Sequence, residues 1–151
     1  MKVYNPRTIA DPAGTYSHGI EVPPNARWLH IAGQVGTRKD GTGPPSVEEQ
    51  SEIAWQNIVA ILAAADMKVT DIVKIQQFVL SLEDFPKYAA TRAKFLGSHR
   101  SASTAVVVKA LVRPDWLVEV EAVAAKAARP ASAAAKKPAA RKRTTAKPRK
   151  R

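Results

Sequence analysis

Cysteine is absent from the 151 residues, which removes disulfide frameworks, thiol nucleophiles, CxxC redox motifs and cysteine-ligated zinc, and leaves the fold indifferent to redox compartment. Long apolar runs are missing too. The longest, Ile58 to Ala65, has eight residues, against the roughly 20 a membrane-spanning helix needs, so no membrane partner is expected. Histidine is scarce: His18, His30 and His99 have neither HxxxH nor HxH spacing and no convergent carboxylates, so no metal site is expected. Gly41-Thr42-Gly43-Pro44-Pro45 lacks the lysine and following helix of a phosphate-cradling loop. The opening Met1-Lys2-Val3-Tyr4-Asn5-Pro6 has no apolar core of a secretion signal, and the expectation is a protein that stays in the cytoplasm.

One further absence divides the chain. Residues 126–151 contain 11 Lys/Arg and no acid, whereas residues 1–125 hold 13 basic and 13 acidic side chains and are formally neutral. The whole net charge of +11 belongs to the tail. Nine Ala, three Pro and three Ser/Thr complete it, a composition that offers too little burial to offset ordering entropy. The expected organisation is therefore a folded unit over residues 1–125 and a disordered Ala/Lys/Pro-rich tail over 126–151, similar in composition to the tails of linker histones. Lys136, Lys137, Arg141, Lys142, Arg143, Lys147, Arg149, Lys150 and Arg151 form a flexible cationic arm suited to non-specific, salt-sensitive binding of nucleic acid. The bland alternative, a solvated tail that aids solubility, stays open. The tail has no aromatic residue, so it offers no base stacking.

The folded unit reads as alternating elements. Ile20 and Val22, the Pro23-Pro24-Asn25 turn and Arg27 to Gly33 predict a hairpin. Ser46 with Glu49 is a capping box opening a helix whose stripe is Ile53, Ala54, Asn57, Ile58, Ile61, Leu62 and Ala65. Asp71 to Ser81 alternates as a strand, and Asp84 is the expected cap of a second helix carrying Phe85, Tyr88, Ala89, Phe95 and Leu96 and stopped by Gly97. Strands over 104–112 and 117–124, joined by the Arg113-Pro114-Asp115 turn, complete the order β-β-α-β-α-β-β. This is an α+β fold, a mixed α/β sandwich. Two helices cover one sheet face, yet Ala105 to Val108 and Val118, Val120, Ala122 and Val123 are apolar on both faces, which predicts self-association.

Glu119 and Glu121 fall on one face of the last strand. Burial of two neighbouring carboxyls is a route to a general base working near neutral pH. For one of them, Glu121, exposure or pairing with a cation of a neighbouring subunit is the competing reading. Tyr16, after the Gly14 turn, either orients a ligand or packs.

Gly14-Thr15-Tyr16-Ser17-His18-Gly19, Ile31-Ala32-Gly33-Gln34-Val35-Gly36, Gln50 with Asn57-Ile58, Leu82-Glu83-Asp84-Phe85 and Leu117 to Ala124 together resemble the RidA/YjgF family of reactive intermediate deaminases over residues 4–125. The resemblance implies a chorismate-mutase-like fold with a six-stranded mixed sheet, and a homotrimer with small-molecule sites in clefts between subunits. It implies cofactor-free hydrolysis of 2-imino or enamine acids to 2-keto acids and ammonia. Carried over, Glu119 positions water, Gly33 backbone groups contact the imine and Tyr16 closes the pocket. The chain departs from the pattern where the family has Pro-Ala-Arg-Ser: Ser101-Ala102-Ser103-Thr104 puts Ser103 in place of the arginine that clamps the substrate carboxylate. A hydroxyl cannot make a bidentate, charge-assisted pair, and losing one costs about 2–5 kcal/mol. Arg100 is the first candidate to replace it, ahead of Lys109 and Arg92. Two functions follow: an imine or enamine deaminase, with Ser103 and Arg100 shaping substrate binding, or a non-catalytic trimer that binds a metabolite or protein and is tethered to nucleic acid by its tails. Ribonuclease activity, attached to some family members, finds no His pair or Lys/His constellation to carry it.

Overall fold

The computed structural model describes residues 1–127. Ser46 accepts from the Glu49 N–H at 3.3 Å and donates its hydroxyl to the Glu49 carboxylate at 2.9 Å, and α1 runs from there over Val47–Ala64. Its buried face is Val47, Gln50, Ser51, Ala54, Trp55, Ile58 and Leu62, rotated from the expected stripe towards Trp55. α2, Phe85–Leu96, packs against α1 through the stacked rings of Trp55 and Phe95, 5.9 Å apart. Asp84 is the N-cap residue as expected, but it sits in helical geometry and makes no side-chain cap bond, while Ser81 accepts from its N–H at 3.1 Å. The helix stops at Gly97, at φ 54°.

The six strands are β1 Lys2–Tyr4, β2 Gly19–Glu21, β3 Ala26–Val35, β4 Ile72–Val79, β5 Ala102–Val107 and β6 Val118–Ala127. They do not form one six-stranded sheet: four make a mixed sheet in the order β3-β6-β4-β5, and β1 pairs with β2 in a separate ribbon. The predicted hairpin is corrected with it, because β2 takes β1 as its partner and β3 takes β6. The reason is visible in the register. β3 pairs with β6 at eight positions from Ala26–Ala127 to Val35–Glu119, a ladder that the three-residue β2 cannot match. Nor do β5 and β6 lie side by side; β4 separates them, parallel to β5 and antiparallel to β6, because α2 supplies the crossover a parallel pair requires.

Both helices cover one face, where Ile31, Ala54, Trp55, Ile58, Leu62, Ile72, Ile75, Val79, Tyr88, Val118, Val120, Ala122 and Ala124 form the core. Fully burying the Val, Leu and Ile side chains among them contributes roughly 1.5–3 kcal/mol each. The other face is open: Trp28 is 50% and Val106 42% exposed, around half-buried Glu119, Glu121 and Val123.

Two close approaches need glycine or a buried polar tie. A Cβ on Gly36 would lie 2.3 Å from Gln50 Cβ. Gln50 in turn donates to the Pro44 and Asp115 carbonyls and accepts from the Leu117 N–H, all at 2.8 Å, which fixes both loops beside the helix. Lys126, expected in the tail, belongs to β6. It pairs with Arg27 across the ladder, and both reach the end of α1: Arg27 donates to the Ala65 carbonyl at 2.6 Å and Lys126 to the Asp66 carbonyl and carboxylate. The last turn of α1 has no basic residue of its own, so these strands supply the cations its dipole favours. The basic residues from Arg129 to Arg151 lie outside the described residues.

Candidate functional site

Tyr16 and Ser103 come together at the β5 edge. Ser17 bridges to Ala102 in parallel, its N–H donating to the Ser101 carbonyl at 3.0 Å and its hydroxyl to the Arg100 carbonyl at 2.8 Å. This lays the Gly14-Thr15-Tyr16 turn beside the start of β5. Behind the turn is a cavity of about 310 Å³ walled by Thr15, Tyr16, Gln77, Phe85, Arg92, Ser103 and Ala105. Ser103 faces it because it is level with the buried Ile75 of β4, which points to the helix side. Gln77, 2% exposed, donates to Ser103 Oγ at 2.7 Å and to the Thr104 carbonyl at 3.1 Å, which leaves the Ser103 hydroxyl proton free to donate.

Arg92, which sequence reasoning placed behind Arg100, is the arginine that borders this cavity. It is 7% exposed, and its Nη2 donates to the Thr15 carbonyl at 3.0 Å. Burial draws its pKa below the ordinary guanidinium value; nearby Tyr88 opposes this and Arg100 adds to it. Burial likewise pushes the Tyr88 phenol well above its usual range, against the pull of the Arg92 charge. A signal was available: Arg92 stands four residues after Tyr88, on the same helix face. Arg100 lies elsewhere. Its Nη1 folds back onto the carbonyls of Gly97 and His99, 3.0 Å from each, and it lines a different cavity with Met1, Val3 and Leu96.

Glu119 and Gly33 form a second locus on the open sheet face. β3 carries one extra residue between Ile31 and Gln34, which pair with Ala122 and Val120 of β6, so Ala32 and Gly33 sit in a bulge, a device that re-aims backbone and side chains. The Glu119 carboxylate lies over the bare Cα of Gly33: a Cβ there would be 1.8 Å from Oε1. Glu121 shares this face and accepts from Gln76 Nε2 at 3.1 Å. The two carboxylates are half-buried, not enclosed as the apolar pattern of β6 suggested. Within one chain the Ser103 cavity opens on the helix side of the sheet and Glu119 stands on the other, so the chain brings together Tyr16 with Ser103 and Glu119 with Gly33, but not the two pairs.

His18 and His99 have local partners, the carbonyls of Ala10 at 2.8 Å and Ile72 at 2.7 Å. Among the described residues no group of three or more His, Asp or Glu is placed to hold a metal ion, and no helix is long and apolar enough to cross a membrane.

Comparison with known proteins bears on this arrangement. The family model described as endoribonuclease L-PSP matches residues 7–126. The 2-iminobutanoate/2-iminopropanoate deaminase of Escherichia coli is 33% identical over 114 residues, covering 74% of this chain and 87% of that protein. A RutC family protein of Pyrococcus horikoshii is 32% identical over 117 residues, covering 76% of this chain and 90% of its own. Among solved structures, a Rid family protein of unknown function from Yersinia pestis superimposes with a TM-score of 0.71 at 30% identity, covering 82% of this chain and 96% of that one. With both helices, the Gly33 bulge and Glu119 inside the matched segment, the chain belongs to the RidA/YjgF family.

Proposed function

We propose that the protein hydrolyses 2-imino or enamine carboxylic acids to 2-keto acids and ammonia without a cofactor, in clefts between the subunits of a homotrimer. The single observation that supports this most is the Glu119 carboxylate resting on Gly33, in a family whose Escherichia coli relative is named an imine deaminase. In this reading water adds to the imine carbon while Glu119 takes its proton. The same carboxyl returns that proton to nitrogen, and the resulting carbinolamine collapses as its hydroxyl proton also passes to nitrogen through Glu119, so that ammonia leaves with a keto group in its place. Atoms balance with water as the only co-reactant. General base catalysis of this kind contributes about 10²–10⁴ in rate.

The separation of the two loci is what a site shared between subunits would have: Tyr16 and Ser103 from one protomer, Glu119 and Gly33 from the next. The open sheet face with Trp28 and Val106 exposed is the surface that assembly would cover. The test is a coupled assay that generates short-lived imino acids from several amino acids and follows keto-acid release with the purified protein and its Glu119→Gln variant. Acceleration by the unmodified protein alone is the expected result. Equal rates with both proteins, or no acceleration across the series, would sink the proposal.

A further inference from the structure

A guanidinium enclosed in protein needs an anion or a full set of acceptors, since a buried charge without them is costly. Arg92 has neither. The ion pairs among the described residues are Lys87–Asp84, Arg113–Asp115 and Lys126–Asp66, none of which involves it. Its one hydrogen bond is to the Thr15 carbonyl, and its Nε is buried with no partner. It borders the same cavity as Ser103. The wall of this one cavity therefore offers both a planar cation and a hydroxyl, donors of the kind that hold a carboxylate.

The far side of this cavity is of opposite character. Phe85 and Ala105 close it and are shared with a neighbouring hollow of about 170 Å³ bounded by Val79, Leu82, Val106 and Val107. Leu82 is 79% exposed and Val107 46%. A ligand anchored at Arg92 thus has an apolar ledge along which to lay a side chain.

We propose that Arg92 is the carboxylate anchor of the cavity beside Ser103, and that the ligand is a monocarboxylic acid whose side chain, of four or more carbons, runs over Phe85 and Ala105 towards Leu82. The charge that the family places on β5 is moved here to α2. This deepens the imine-hydrolase reading and rests on it for the reacting group, though not for the anion site itself.

The test is calorimetric titration of the full-length protein with stable keto acids at physiological salt. Three probes are used: 4-methyl-2-oxopentanoate, its carboxamide, and pyruvate. The long acid is expected to bind roughly tenfold tighter than pyruvate, since each buried methylene is worth about fourfold and the ledge is half open. The carboxamide is expected to bind at least tenfold more weakly than the acid. Arg92→Met should weaken the acid roughly thirtyfold or more and leave the carboxamide almost unchanged, a discrimination that loss of the Thr15 tether alone would not produce. Should Arg92→Met unfold, Arg92→Lys keeps the charge without the planar fork and should retain part of the affinity. Ser103→Arg in the Arg92→Met background should restore acid binding. Leu82→Ser should lower affinity for the long acid and not for pyruvate. Equal binding of acid and carboxamide, acid affinity unaffected by Arg92→Met, or pyruvate binding as tightly as the long acid would each overturn the inference. Arg92-dependent binding without any imine turnover would instead sink the hydrolase reading and leave the anion site standing; imine turnover unchanged in Arg92→Met would do the reverse.

Discussion

The Arg92–Ser103 cavity and the Glu119–Gly33 bulge sit in one sheet and are built in opposite ways. The cavity lies on the helix side, walled by a helix, a strand and a turn distant in sequence, and its key charge is 7% exposed. The bulge lies on the open face, made by neighbouring strands alone, and its carboxylate is half-buried. In the proposed reading, one holds an anion and the other moves a proton. The difference teaches that one sheet can present two loci on opposite faces, so that the proposed binding and the proposed chemistry can be tested apart, and that only the proposed assembly would bring both to the same ligand.

Changes at the bulge should break the chemistry and spare the binding. Glu119→Gln is expected to lower imine hydrolysis by about 10²–10⁴ while keto-acid affinity in titration stays within about twofold. Gly33→Ala tests the same point without touching the carboxyl group. The new Cβ would overlap Oε1 at 1.8 Å, so the Glu119 side chain must swing away, and hydrolysis should fall by roughly tenfold to a hundredfold with thermal stability changed by no more than about 1 kcal/mol. If Gly33→Ala kept full activity, the placement of Glu119 would not be what matters.

The remaining predictions sharpen the contrast from the side of the fold. Trp55→Ala empties the centre of the core under both helices and should cost about 3–5 kcal/mol in denaturant unfolding, reducing both functions together. Removal of residues 128–151 should leave unfolding and keto-acid binding unchanged within about 0.5 kcal/mol. Any nucleic-acid binding by the full chain should disappear with that segment, and binding before its removal should weaken steeply with salt. Retention of nucleic-acid binding by the shortened protein would move that activity to the neutral folded unit.

Local signals carried far along this chain. Ser46, Gly97, the β4 alternation and the same-face placement of Glu119 and Glu121 are governed by contacts within a few residues, and the sequence pattern shows them. What it does not show depends on distant partners. β1 pairs with β2 across the loop from Asn5 to His18, and three residues are too few for a periodic signal. Lys126 looks like the first charge of the tail until the end of α1, some 60 residues earlier, is placed beside it. Arg92 looks like a surface residue of α2 until Thr15, 77 positions away, is laid over it. The hydrogen bond from the Asp84 N–H to Ser81 was hidden for a different reason: Ser and Asp cap about equally well by type, and only the local geometry sets which side chain accepts.

The route by which β6 leaves the fold has a mechanical meaning. Its last residue, Ala127, is hydrogen-bonded in register with Ala26, and the strand is flanked by β3 on one side and β4 on the other. A pull applied beyond Ala127 along the strand would load both ladders in shear, so that many hydrogen bonds resist at once, with Lys126 riveted to the end of α1 at the point of entry. The fold is anchored at that end like a mooring, so that a load entering at Ala127 is shared between two neighbouring strands and the end of a helix.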